Sequence, residues 1–158
     1  MNKTQRISIA TLLTVILLLG IIVTIHSYDR YQRTHLNCDA MLVVSKDDAE
    51  LSLALNYTLR GDSGIATLKG TLKKGSQITN ISRKNYFAFS QEKNFYHLTS
   101  LSTVVSPADN SDTQELMRYL PRFYLQKGLK FDFIIKPVAK EGYIFSTGYV
   151  PSFYCTRN

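Results

Sequence analysis

Two cysteines, three histidines and a scatter of carboxylates are the groups in this 158-residue chain that could do chemistry. Cys38 and Cys155 stand far apart in sequence, and no other cysteine is present. In an oxidising compartment an isolated pair of this kind is most simply a disulfide. It would close a loop of about 118 residues, which the chain-entropy model values at about 4–5 kcal/mol. Two buried free thiols are the competing reading. A metal site is disfavoured, because two cysteines with His26, His35 and His97 lack ligand spacing.

Catalytic constellations are missing from the pattern. His26 and His35 lie in a polar stretch that explains them, and His97 sits in a strand-like run, Phe95-Tyr96-His97-Leu98. No G-x-S-x-G elbow occurs, and no Gly-rich loop ends in Lys-Ser or Lys-Thr. Asp47-Asp48 reads as a turn pair, not as a general acid and base. Asn56-Tyr57-Thr58 and Asn80-Ile81-Ser82 fit the glycosylation pattern, but both fall within expected strands, and the pattern is common by chance. The sequence argues against an enzyme and implies no cofactor and no metal.

The elements that would position these groups begin with residues 7–25, ISIATLLTVILLLGIIVTI, which carry no charge. As a helix the run spans about 28 Å, close to the hydrocarbon core of a bilayer. It ends without a small-residue cleavage site, so it reads as an uncleaved signal-anchor. The expected organisation is a cytoplasmic tail at 1–6, a transmembrane helix at 7–26, a juxtamembrane segment at 27–37 and a periplasmic β-rich domain at 38–158. Six residues on the inner side cannot form a DNA-binding domain, so no direct contact with nucleic acid is expected. Ala10, Thr14, Gly20 and Thr24 fall on one stripe of the helix, where small and hydroxyl residues let a partner's membrane helix approach. The formal charge of the chain is +7, and removing Lys3 and Arg6 leaves about +5 on the outer part, a modest excess typical of a solvated surface that could also favour anionic lipids, an acidic partner or an anionic ligand.

Beyond the anchor the texture is that of strands. A short strand is expected at 39–45. Leu51, Leu53, Leu55, Tyr57 and Leu59 alternate with polar or small residues, the best period-two signal in the chain. A turn at 61–64 leads to a second alternating run, so the two predict a hairpin with one wet face. Residues 77–90 predict a further strand or two, and 95–105 the returning strand. Asp112 followed by Glu115 has capping-box spacing and predicts a helix of two to three turns, ended by Pro121. Further strands follow Lys127-Gly128, with Gly142 turning the chain. The fold class is mainly β with one short helix, an antiparallel β-sandwich or a lipocalin-like barrel that a partner could complete.

The late aromatics Phe131, Phe133, Tyr143, Phe145, Tyr149 and Phe153 are ordinary core for such a domain. In a barrel they would instead line an apolar cavity able to hold a lipid-like or steroid-like ligand, with Lys130 and Lys136 at its mouth.

A short tail, one anchor, a β-rich domain with Cys38 near its start, and the terminal run Tyr149-Val150-Pro151-Ser152-Phe153-Tyr154-Cys155 together resemble the FidL-like inner-membrane proteins of enteric bacteria. Such proteins are similar in role to the ToxS and VtrC accessory proteins. The resemblance implies a periplasmic accessory that pairs with a membrane-anchored winged-helix transcription regulator. In the VtrC type the two outer domains together form a lipocalin-like barrel that binds bile salts, so a bile-salt-like ligand is a further implication. No residue-level bile-salt motif carries over. The other reading of the sequence is a free-standing module that binds a lipid or envelope component.

Overall fold

The computed structural model describes residues 3–139, 141–148 and 150–158. They form two units, residues 1–33 and 34–158, each considered by itself.

The first unit is a helix, α1, Lys3–Thr34. From Leu12 to Thr34 it is long and apolar enough to cross a membrane. Its aliphatic side chains from Leu12 to Ile25 are all exposed. The Thr24 hydroxyl donates to the Gly20 carbonyl (2.7 Å), which satisfies it within the helix. A Cβ at Gly20 would meet no heavy atom within 4 Å, so this side of the helix is open. The Ala10 side chain lies outside the described part of the chain.

The second unit is a closed antiparallel barrel of eight strands in sequence order. They are β1 His35–Lys46, β2 Ala49–Arg60, β3 Ser63–Lys74, β4 Gln77–Glu92, β5 Phe95–Val105, β6 Lys130–Val138, β7 Gly142–Thr147 and β8 Val150–Arg157. The barrel, not the sandwich, is therefore the architecture. The alternation read from the sequence sets the register. Leu51, Leu53, Leu55, Tyr57 and Leu59 all point inward and are buried. β2 pairs in unbroken register with β1 on one side and β3 on the other.

Several boundaries move. β1 starts at His35, directly after the helix, and not at Asp39. Residues 77–92 form one sixteen-residue strand. Gly142 opens β7 instead of turning the chain. A Cβ there would lie 2.3 Å from the Cys155 carbonyl oxygen, so the residue is Gly for close strand approach. The turn between β7 and β8 is at Gly148, whose φ of +59° suits glycine. Tyr143 and Phe145 thus lie on β7 and Phe153 on β8.

The helix of two to three turns is also shorter than expected. Asp112 caps it as the spacing predicts, accepting from the N–H groups of Gln114 and Glu115 (both 3.2 Å). However, α2 is Thr113–Leu116 alone. Arg118 and Tyr119 donate to carbonyls three residues back, tightening the next turn. Pro121 then starts a 3-10 turn, Arg122–Tyr124.

This long β5–β6 connection packs into the core through Leu116, Leu120, Phe123, Tyr124 and Leu125. Polar contacts with β4 hold it. Arg83 and Asp109 form an ion pair (2.9 Å) with both side chains almost fully buried. Arg83 also donates to the Thr113 hydroxyl (2.9 Å) and the Ser111 carbonyl (3.1 Å). Buried Asn85 donates to the Phe123 carbonyl (2.9 Å) and accepts from Ser100 (2.8 Å).

Candidate functional site

The barrel closes at one narrow point. β1 pairs with β2 along its whole length, but with β8 only at Cys38↔Arg157 and Asp39↔Thr156. The Asn158 N–H adds one bond to the Asn37 carbonyl (3.1 Å). Cys38 and Cys155 form a disulfide at this spot, with Cα atoms 5.4 Å apart and both residues fully buried. The sequence reading of the two cysteines as a bonded pair is therefore the structure's as well.

Past Asp39 the two strands part. Among the described residues, 40–46 of β1 have a strand neighbour only on the β2 side, and 150–155 of β8 only on the β7 side. The reason lies in β8 and its neighbour. A register shift between Phe145 and Ser146 bends this ladder, and Pro151 has no N–H to offer. β1 carries no bulge, no proline and no charge between Ala40 and Ser45. It is the bare edge of the seam.

Strand pairing lays out the outer surface beside this edge. Asp39, Asn56, Thr67 and Lys84 stand opposite one another across β1 to β4. Met41, Ala54 and Lys69 form the next row. A Cβ at Gly70 would fall 1.9 Å from the Ser52 carbonyl oxygen, so only glycine allows β2 and β3 to approach so closely. An open cleft of about 1120 Å³ runs over the outer face and into the seam. One wall is apolar, with Met41 67% exposed, Val43 59% and Tyr154 43%. The other carries Lys69 and Lys84. Leu42 and Phe153, both half-buried, line it from the core side.

The charges of the cleft differ in how they are held. Asp39 accepts from the side-chain amides of Asn56 and Asn158 (2.7 Å each). Those two hydrogen bonds hold its carboxyl below the usual carboxylate range. Lys69 and Lys84 have no hydrogen-bond or ion-pair partner among the described residues.

The aromatic stripe is elsewhere. Phe131, Phe133, Phe145 and Phe153 converge on Tyr57 of β2. Phe153 stacks on the Tyr57 ring at 5.8 Å, Phe145 lies tilted against it at 4.9 Å, and Phe133 meets it edge-on at 6.2 Å. Phe131 joins through Phe133 at 4.9 Å. Tyr143 lies towards the disulfide end, with the Arg157 guanidinium 5.0 Å over its ring and donating to its hydroxyl (2.7 Å). Tyr149 lies outside the described residues. Lys130 and Lys136 are exposed on β6 and do not line the cleft. Of the described members of the stripe, Phe153 alone belongs to both the ring cluster and the cleft.

Two partners of this cluster escaped the sequence reading. The Tyr57 and Tyr124 hydroxyls are hydrogen-bonded to each other in the core. Burial pushes both phenols well above their ordinary range, so both stay neutral. The signal for Tyr57 was its place among the inward leucines; Tyr124 had none, because it lies on a connection without periodicity. His97 pairs on the surface with Asp132 across β5 and β6 (2.8 Å).

A family model described as the YqeJ C-terminal domain matches residues 35–155. The chain belongs to that family. The matched span starts at the first residue of β1 and ends at Cys155, so it takes in the whole barrel and both cysteines of the disulfide. No curated protein matches the chain. The YqeJ C-terminal domain is thus, in this chain, an eight-stranded barrel with a disulfide-pinned seam and a cleft beside it.

Proposed function

We propose that this chain is a membrane-anchored accessory protein, with α1 in the bacterial inner membrane, the N-terminus in the cytoplasm and the barrel in the periplasm. There it binds a membrane-anchored, ToxR-like transcription regulator and stabilises or tunes it. The partner docks at the seam. The Cys38–Cys155 disulfide supports an oxidising compartment for the barrel, and the apolar α1 supports the anchor.

The observation that carries this reading is the bare edge of β1. An exposed edge strand offers unpaired N–H and C=O groups to another chain, and proteins usually guard such edges with charge, proline or bulges. β8 has the proline and the shifted register, while residues 40–45 of β1 have neither and expose Met41 and Val43. An added strand there would gain backbone hydrogen bonds and cover those side chains. The resemblance to FidL-like, ToxS and VtrC proteins points the same way.

Co-purification from membranes with the regulator encoded nearby tests the proposal. The wild-type chain is expected to retain the regulator, and Val43→Asp to lose it while keeping its disulfide. Native mass spectrometry separates the other class of reading. A lone chain that carries a ligand and retains no regulator would make it a free-standing binding module.

A further inference from the structure

The partner reading leaves Lys69 and Lys84 unexplained. A strand added to the open edge of β1 lies on the far side from β2. Lys69 is on β3 and Lys84 on β4, so at about 4.8 Å per strand they stand roughly 14 Å or more from it. Both are nevertheless in the cleft. Lys84 is opposite Thr67, and Lys69 is two residues further along β3. They are diagonal neighbours on one face, about 7–8 Å apart at the backbone. Neither has an anionic partner among the described residues, so two like charges stand close together on this face with no counter-charge. The one carboxylate in the cleft, Asp39, is already held by two asparagines.

We infer that the cleft is a binding site for a single-chain anionic amphiphile. The anionic head, a carboxylate or phosphate, sits between Lys69 and Lys84, with the Thr67 hydroxyl in the same row as a neutral donor. Small Ala54 leaves the floor low between the two walls. The tail crosses β2 over about 12 Å towards Met41 and Val43. Its end enters the seam between β1 and β8, where Leu42, Phe153 and Tyr154 give it an apolar lining. The cleft volume, about 1120 Å³, lies just above the usual range of roughly 300–1,000 Å³ for a small-molecule site, as its open mouth requires. The inference rests on the cleft alone and goes beyond the accessory reading; because the tail and an added strand meet at the same edge of β1, the amphiphile and the regulator would compete there.

The test uses the full chain in phosphatidylcholine nanodiscs and a photoactivatable dodecanoate carrying a diazirine in its tail. Labelled peptides are mapped by mass spectrometry. Label is expected on the segments that carry Met41, Val43 and Tyr154. It should be competed by plain dodecanoate and not by dodecyltrimethylammonium. The K69E/K84E variant, with its disulfide intact on a non-reducing gel, should lose this label by about tenfold or more. K69M/K84M should lose it as well, without reversing the charge. Label on α1, which reports partition into the bilayer, should be equal in all variants. Nanodiscs with added phosphatidylglycerol distinguish the sources: competition there would assign the site to a two-chain bilayer lipid and overturn the single-chain reading, and its absence supports a free amphiphile. Equal competition by the cationic analogue would overturn the inference, and so would cleft label unchanged in both lysine variants. No regulator is present in this assay, so its failure and a failure of regulator co-purification are separate results.

Discussion

Removing the disulfide should cost this barrel more than any other single change to its seam. Cys38 and Cys155 are 117 residues apart in sequence, so the bond constrains nearly the whole unfolded outer chain. For a loop of that size the chain-entropy model gives about 4–5 kcal/mol. The strands on either side offer little to replace it, since β1 and β8 share only two register pairs. Cys38→Ser, in detergent, should therefore unfold at lower urea than the wild type. With an m-value of about 2 kcal/mol per M for a small domain, the midpoint should fall by about 2 M. Cys155→Ser should match it. Both thiols are fully buried in the bonded form, so dithiothreitol should act on the wild type only as fast as the seam opens, and should then reproduce the variant's midpoint. Dithiothreitol should leave Cys38→Ser unchanged. A midpoint shift under about 0.5 M in either variant would refute the reasoning, because β1 and β8 would then be held by something other than the bond.

Three further changes have definite expected outcomes. Burial pushes the Asp109 carboxyl up, but hydrogen bonds from Arg83, from the Ser111 hydroxyl and from the N–H groups of Ser82 and Ser111 outweigh it and hold the carboxyl below its ordinary 3.8. Its contribution to stability is therefore complete above that ordinary value and is lost as pH falls through the lower folded one. Asp109→Ala leaves Arg83 buried and unpaired, should cost about 3–5 kcal/mol in a urea titration at pH 7, and should flatten the acid limb of the stability curve. Gly70→Ala drives a methyl group into the Ser52 carbonyl and should cost at least about 3 kcal/mol, read as a large drop in thermal midpoint or in yield of folded protein. Gly20→Leu fills the open side of α1 and should weaken regulator co-purification without changing the barrel's melting temperature.

The strands were legible where one face is buried and the other wet. β2 is the clearest case, because inward leucines alternate with small or polar residues that face the solvent. The Asp112 cap was legible from spacing alone. The helix it starts was not measured correctly, since tight three-residue hydrogen bonds and Pro121 shorten it and tertiary packing of Leu116 and Leu120 decides its path. Gly142 reads as a turn residue in sequence, yet it and Gly70 both sit inside strands where another backbone comes too close for a Cβ.

The candidate site was legible only at its hinge. Cys38 and Cys155 announce that the first and last strands meet, and nothing local says that those strands separate two residues past Cys38. That separation follows from the ladder shift at Phe145 and Ser146 and from Pro151, effects of pairing and not of periodicity. The aromatic stripe drew the sequence reading to the barrel interior, where its rings pack on Tyr57. Lys69 and Lys84 read as two solvated lysines among many. They become a pair only when β3 and β4 are set in register.

The central claim is that a regulator lies along the open edge of β1, and crosslinking from that edge tests it most directly. A photoreactive amino acid at position 43, in cells that express the regulator, should yield a covalent adduct with its outer domain. The same group at position 92, at the end of β4, should yield none. Adducts of equal strength from both positions, or none from position 43 in a stably made protein, would contradict the account.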